Sequence, residues 1–293
     1  APTTHFYPSL PLMWFLDYSF WMLGPYQDFV WLILLGIGVV LITRLLLIRG
    51  IELTSEAWQM PRKVKGQILG YATSTPELVG TVSTAAKGLI GAGLWNVTAS
   101  NIINLVLFIS AVLYFGRSKD LTKKKFIDEM GFALGAIVLP VILVTREQWA
   151  KSPWAALILF SFFVAYVILD KKFNPPDPDE QKDTASNDSS KGFRGIVLIL
   201  LGIAGIIVAG NYLGGVAESI VKQMNVAEWA VGWILGVITS LPELTSFYAV
   251  FSLAKEQESD ESCQQNLDNL AASNMSNLGL IYPIGIIVFL LAT

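Results

Sequence analysis

Apolar residues in this chain do not alternate with polar ones; they run together. Eight runs, at 29–51, 66–89, 94–115, 126–144, 153–169, 193–222, 227–254 and 267–291, are each long enough to cross a bilayer as a helix, which takes about 20 mostly apolar residues. In hydrocarbon a backbone must satisfy its own N–H and C=O groups, so such runs predict helices rather than open strands. The pattern predicts an all-α polytopic membrane protein of about eight transmembrane helices. Ahead of the first run, residues 10–23 are apolar and aromatic but short, and Asp17 interrupts them. Residues 1–28 are therefore read as an N-terminal segment lying in the membrane interface.

The polar stretches between the runs set direction. Arg62, Lys63 and Lys65, then Arg117, Lys119, Lys123, Lys124 and Lys125, then Lys171, Lys172, Lys182, Lys191 and Arg194 fall on one side of the membrane. Only Lys87, Arg146, Lys151 and Lys222 fall on the other. The positive-inside rule puts the first group in the cytoplasm and both termini on the non-cytoplasmic side. Residues 173–192 carry Pro175, Pro176 and Pro178 among Asp, Glu, Ser and Asn, a composition that buries no core. They are read as a cytoplasmic linker between a block of five helices, 29–172, and a block of three, 193–293.

Composition narrows the function. The chain of 293 residues is 53% hydrophobic and 15% charged, with a mean hydropathy of +0.55; soluble domains carry about 25% charged residues. A net charge of −3 is too small to point to nucleic acid. One cysteine, Cys263, and one histidine, His5, exclude a disulfide framework and a His/Cys metal site. The cysteine is read as inert. Residues 1–27 lack the basic n-region of a cleavable signal peptide. The chain is expected not to be an enzyme and to carry no covalent cofactor.

The informative residues are the polar ones inside the apolar runs, because they occur twice. Thr73-Ser74-Thr75-Pro76-Glu77-Leu78 returns as Thr239-Ser240-Leu241-Pro242-Glu243-Leu244. Ala99-Ser100-Asn101-Ile102-Ile103-Asn104 returns as Ala272-Ser273-Asn274-Met275-Ser276-Asn277. Glu243 follows Glu77 by 166 positions (243 − 77), and the same offset relates Gly70 to Gly236 and Glu52 to Glu218. The two blocks are thus repeats. Glu77 falls in the second run and Glu243 in the seventh, so an odd number of crossings separates them and the repeats point in opposite directions. Inverted repeats bind their cargo near the midplane, where the two halves meet.

A carboxylate at membrane depth costs about 2.5–3.5 kcal/mol on insertion scales, so two in matching settings imply a use. Pro76 and Pro242 have no N–H, which frees the carbonyls of Ala72 and Ile238 from their helical partners. Freed carbonyls, hydroxyls and carboxylates form an oxygen-only set of the kind hard cations such as Ca²⁺ and Na⁺ take. Ser100 and Asn104 are four residues apart and share a helix face, as do Ser273 and Asn277. Glu52 and Glu218 fall near span ends and are assigned a structural or entrance role. Asn96-Val97-Thr98 fits a glycosylation sequon but adjoins a buried span and is read as chance. Residues 255–266 are read as a long polar connection and 255–261 within it as a solvated loop.

At these residues the chain resembles the cation/Ca²⁺ exchanger superfamily, the group that contains Na⁺/Ca²⁺ exchangers. The resemblance runs from about residue 29 to the end of the sequence and includes both repeats. It implies that Glu77 and Glu243 are the central cation ligands. It implies further oxygens from Thr73, Ser74, Thr239, Ser240, Ser100, Asn104, Ser273 and Asn277, and from the carbonyls of Gly70 and Gly236. The family usually has five helices per repeat, so the last pair is expected to be lacking here. Asn277 stands where the family often has Asp, Thr75 where it has Leu, and Ala99 and Ala272 where it has Gly.

The activity so implied is antiport of Ca²⁺ against Na⁺, or H⁺, with the first and sixth helices sliding across the rest. Two carboxylates are neutralised by one Ca²⁺, two Na⁺ or two protons, so these ions would compete for one set of oxygens. The alternative is an accessory subunit of a larger membrane complex that keeps the fold without transport. The expected partners are the lipid bilayer, the transported ions, and a second copy or other membrane subunits at the flank.

Overall fold

The structure is a computed structural model, and it describes residues 26–58, 60, 68, 70–118, 127–173, 189–253 and 259–293. Residues 1–25 of the N-terminal segment and most of the linker lie outside the described residues, and the first helix takes up the segment's last two residues. Among those described, all regular structure is helical.

The first run forms one helix, α1 (Gln27–Ala57), which passes through a π-helical stretch at Thr43–Ile48 without a break. The second run breaks. Residues 70–73 are helical, Ser74 leaves the helix, and α2 (Thr75–Ala85) restarts. Gly88, at φ +77, turns the chain after α2 into α3 (Ile90–Tyr114). Then follow α4 (Ile127–Val144), α5 (Pro153–Phe173) and α6 (Ser189–Gln223). The seventh run also breaks, into α7 (Glu228–Thr239) and α8 (Leu241–Leu253). The eighth comprises α9 (Ser259–Ser276), a π-helical turn Asn277–Ile281, and α10 (Tyr282–Ala292). Five of these helical stretches, containing α1, α3, α6, α7 with α8, and α10, are long and apolar enough to span a membrane.

One expectation is corrected here. The polar stretch 255–266 is not all connection, because α9 begins at Ser259, ahead of the apolar run. Its buried residues Cys263, Leu267 and Leu270 recur at helical spacing and pack on Phe108, Val112, Phe247 and Phe251. Three residues on one face bury enough apolar surface to extend the helix through a sequence that is polar elsewhere.

Two packing relations position the site. The long helices α1 and α6 lie against each other at glycines: a Cβ on Gly50 would stand 2.7 Å from the carbonyl oxygen of Gly195, and one on Gly195 would meet that of Gly50 at 2.7 Å. Small residues let membrane helices approach this closely. On the other side of the fold, α3 packs along α7 and α2, α9 along α4, and α10 along α5. Apolar side chains such as Leu41, Leu45, Val106, Leu113, Leu200 and Ile207 remain exposed, as lipid-facing residues do.

Candidate functional site

The two duplicated phrases fold alike. Ser74 has φ −82 and ψ 6, and Ser240 has φ −80 and ψ 1. Each is the single residue at which a helix stops and another starts. Proline explains both ends of that event: it cannot donate to the carbonyl four residues back, yet it fits the first turn of a new helix, where its missing N–H has no partner to lose. Each glutamate then falls in the first turn of the restarted helix. The amide dipoles of that turn point their positive ends at it, which favours a carboxylate there.

Both carboxylates face the protein. Glu77 is 0% exposed and Glu243 is 1% exposed. Ser100 donates from Oγ to Glu77 Oε1 at 2.7 Å, and Ser100 and Ser240 stand 2.8 Å apart, Oγ to Oγ. A hydroxyl has one proton, so Ser100, having given its own to the carboxylate, accepts from Ser240. The other half repeats this: Ser273 Oγ donates to Glu243 Oε1 at 3.1 Å, and Ser74 Oγ lies 3.3 Å from Ser273 Oγ. In each case the serine of one helix break reaches into the opposite repeat, to the serine that holds its glutamate. Asn104 also donates to Ser273 Oγ, at 3.4 Å.

What these bonds leave over is more telling. Among the described residues, eight buried side-chain polar atoms have no hydrogen-bond partner in the protein. Four of the eight are Glu77 Oε2, Glu243 Oε2, Asn104 Oδ1 and Asn277 Oδ1. All are acceptors, and they form two pairs related by the duplication. Buried acceptors without donors cost free energy, and here each repeat leaves one carboxylate oxygen and one amide oxygen in that state.

The remaining predicted residues surround this core. Thr73 donates to the Gly70 carbonyl at 2.8 Å, and Thr239 to the Gly236 carbonyl at 3.4 Å and to Asn96 Oδ1 at 3.3 Å. All the predicted residues lie at the two helix breaks or on the segments α3 and Ser259–Ile281 that pack against them. Glu52 and Glu218 lie outside the cluster. Glu52 pairs with Arg49 at 3.1 Å, and Glu218 with Lys222 at 2.9 Å and Lys87 at 4.0 Å.

Sequence reasoning passed over three asparagines. Asn96 is fully buried and donates to the Glu77 carbonyl at 3.0 Å and to Thr81 Oγ1 at 3.2 Å. Its place one turn before Ser100, on the same face, was the available signal. Asn101 and Asn274 are also fully buried, and each sits at the same place in its copy of the repeated phrase.

Residues 28–170 and 194–292 match the family described as sodium/calcium exchanger protein. The chain belongs to that family. It is 23% identical over 227 residues to CaxA of Alkalimonas amylolytica, a protein whose name describes an antiporter; the match covers 75% of this chain and 68% of that one. It is 32% identical over 117 residues to the sodium/calcium exchanger MaX1 of Methanosarcina acetivorans, covering 39% of this chain and 33% of the relative. No solved structure matches. The chain is thus an integral multi-pass membrane protein of a family of cation transporters.

Proposed function

We propose that this exchanger-family chain is a secondary antiporter. It moves Ca²⁺ against Na⁺, or against protons, through one site held by Glu77 and Glu243. The observation that carries the reading is the set of four buried acceptors without donors, one carboxylate and one amide oxygen from each repeat. Ca²⁺ takes 6–8 oxygens, often a mixture of carboxylate, amide, carbonyl and water. The hydroxyls of Ser74, Ser100 and Ser240 have lone pairs left, whereas those of Ser273 are taken by Ser74 and Asn104. Thr73, Thr239 and the carbonyls of Gly70 and Gly236 form an outer ring. No nitrogen or sulfur ligand is needed, which favours a hard cation.

The exchange follows from charge. The two carboxylates carry −2; one Ca²⁺ balances that, and so do two Na⁺ or two protons. With neither, two negative charges are left at membrane depth with only hydrogen bonds to hold them, and crossing in that state is disfavoured. One load therefore leaves only as another arrives. The α1–α6 pair, joined at Gly50 and Gly195, is the element that moves past the site.

The test is uptake of radioactive Ca²⁺ by Na⁺-loaded proteoliposomes containing the full chain. Uptake should need the Na⁺ gradient or, in the proton variant of the reading, a pH gradient. It should vanish in Glu77→Gln and in Glu243→Gln. Uptake independent of either gradient, or full uptake by the double Gln variant, would overturn the proposal.

A further inference from the structure

Asn104 and Asn277 present their amide oxygens without partners, although an asparagine can rotate to bring either end of its amide to a neighbour. Something fixes the choice. Asn101 donates through Nδ2 to two main-chain carbonyls, Ala136 at 2.8 Å and Asn274 at 3.2 Å. Asn274 donates in return to the carbonyl of Asn101, at 3.2 Å. Main-chain carbonyls only accept, so the nitrogens of both side chains are pinned to them and both Oδ1 atoms point the other way. Those two oxygens then need donors. Asn277 Nδ2 gives one to Asn101 Oδ1 at 2.9 Å, and Asn104 Nδ2 gives one to Asn274 Oδ1 at 3.2 Å. With their nitrogens committed, Asn104 and Asn277 are left with their oxygens free.

We propose that Asn101 and Asn274 form an amide clamp across the two repeats that turns the Asn104 and Asn277 oxygens toward the cation. They are positioning residues, and the proposal rests on the cation-site reading above. The clamp starts from backbone carbonyls, which cannot change role, and passes orientation outward in two steps on each side. It also sets the chemistry at position 277. Asn101 Oδ1 demands a donor there, which an amide supplies and an ionised carboxylate does not. This is why an asparagine suits a place where the resembling superfamily often has Asp.

Ordinary interhelical adhesion by asparagines would affect stability without affecting the ion, and equilibrium binding separates the two. The full chain, purified in detergent, is titrated with Ca²⁺ alone as probe. Asn101→Leu should weaken binding at least tenfold. Asn101→Leu combined with Asn277→Leu should be no weaker than Asn277→Leu alone, within about twofold, because the first residue acts through the second. Asn277→Asp should not tighten binding despite its added charge, because its carboxylate would meet Asn101 Oδ1. Wild-type affinity in Asn101→Leu, multiplying losses in the double variant, or a tenfold gain in Asn277→Asp would each overturn the clamp. If Asn101→Leu does not elute as a single folded species, Asn277→Asp, which leaves the clamp intact, decides alone. Wild-type protein that does not bind Ca²⁺ would overturn the cation site itself, a result distinct from loss of the clamp.

Discussion

Gly70 and Gly236 hold the same place in the two repeats, one turn ahead of the helix breaks, yet alanine should have opposite effects at them. A Cβ on Gly236 would stand 2.7 Å from the Cβ of Ala99 and 3.0 Å from both the Asn96 oxygen and the Ser100 nitrogen. Carbon atoms in favourable contact are about 3.5–4.0 Å apart, so α3 and α7 would have to part by about 1 Å. Overpacking of this kind costs about 1–3 kcal/mol, against a gain of about 0.5–1 kcal/mol from replacing glycine in a helix. Among the described residues a Cβ on Gly70 would meet only Ala272 Cβ, at 4.0 Å, which leaves the gain alone. Gly236→Ala should therefore destabilise by up to about 2 kcal/mol, and Gly70→Ala should stabilise by up to about 1 kcal/mol. At about 2–4 °C per kcal/mol, thermal unfolding of the detergent-solubilised chain resolves the difference. Gly236→Ala should also weaken Ca²⁺ binding, because the atoms it displaces include the backbone of Ser100, whose hydroxyl holds Glu77 Oε1 at 2.7 Å. Equal shifts in the two variants, or a larger loss from Gly70→Ala, would refute the packing argument.

Other variants probe the site's electrostatics and support. Glu77→Gln and Glu243→Gln should each raise the apparent Tm in chelator, since an uncompensated buried charge costs several kcal/mol, while reducing Ca²⁺ uptake about 100-fold or more; a fall in Tm would contradict the reading. Saturating Ca²⁺ should stabilise the wild-type chain by about 2.7 kcal/mol at a hundred times its Kd, chelator should reverse this, and the Gln variants should show no such gain. Asn96→Leu removes the donor to the Glu77 carbonyl and Thr81 and leaves the Thr239 hydroxyl the Gly236 carbonyl at 3.4 Å, so it should cost about 1–3 kcal/mol. Asn269→Leu, at the matching position, loses a single bond to Ser246 at 3.0 Å from a half-buried residue, and thermal unfolding should place its cost nearer 1 kcal/mol.

The breaks at Ser74 and Ser240 were legible because proline forbids one helical bond and nothing else in either phrase competes with that. The glutamates were legible for the opposite reason: charge in an apolar run has few explanations, and repetition removes most of them. Asn101 and Asn274 escaped notice because nothing in a lone sequence says which neighbour an amide faces. Their role depends on the Ala136 carbonyl, 35 residues from Asn101, and on each other across the repeats. The start of α9 at Ser259 was missed because an apolar run marks only the lipid-length part of a helix. The extension is held by one face, where Cys263, Leu267 and Leu270 meet α3 and α8.

What the duplicated sequence hides is that its two halves are not packed equally. The phrases match, the backbone angles at the breaks match, and the serine–glutamate bonds match. Around them, Gly236 is pressed against α3 while Gly70 barely reaches Ala272. Asn96 ties Glu77 to both Thr81 and Thr239, while the side chain of Asn269, among the described residues, hydrogen-bonds to Ser246 alone. A symmetric pair of repeats can be packed closely on one side of its cargo and loosely on the other, and inverted repeats allow the reverse arrangement at similar cost. If α1 and α6 move as proposed, the tightness at Gly236 belongs to this conformation rather than to the sequence at that position. Crosslinking tests this: the Cβ separation of 4.0 Å between Gly70 and Ala272 suits a disulfide, which takes about 3.5–4.5 Å, and that of 2.7 Å between Ala99 and Gly236 is too short, so paired cysteines at Gly70 and Ala272 should crosslink readily in the conformation described here, and those at Ala99 and Gly236 poorly. If α1 and α6 do slide past the site, Ca²⁺ and Na⁺ should shift the ratio of the two crosslinks in opposite senses; a ratio indifferent to both ions would mean that the asymmetry is fixed and plays no part in moving the load.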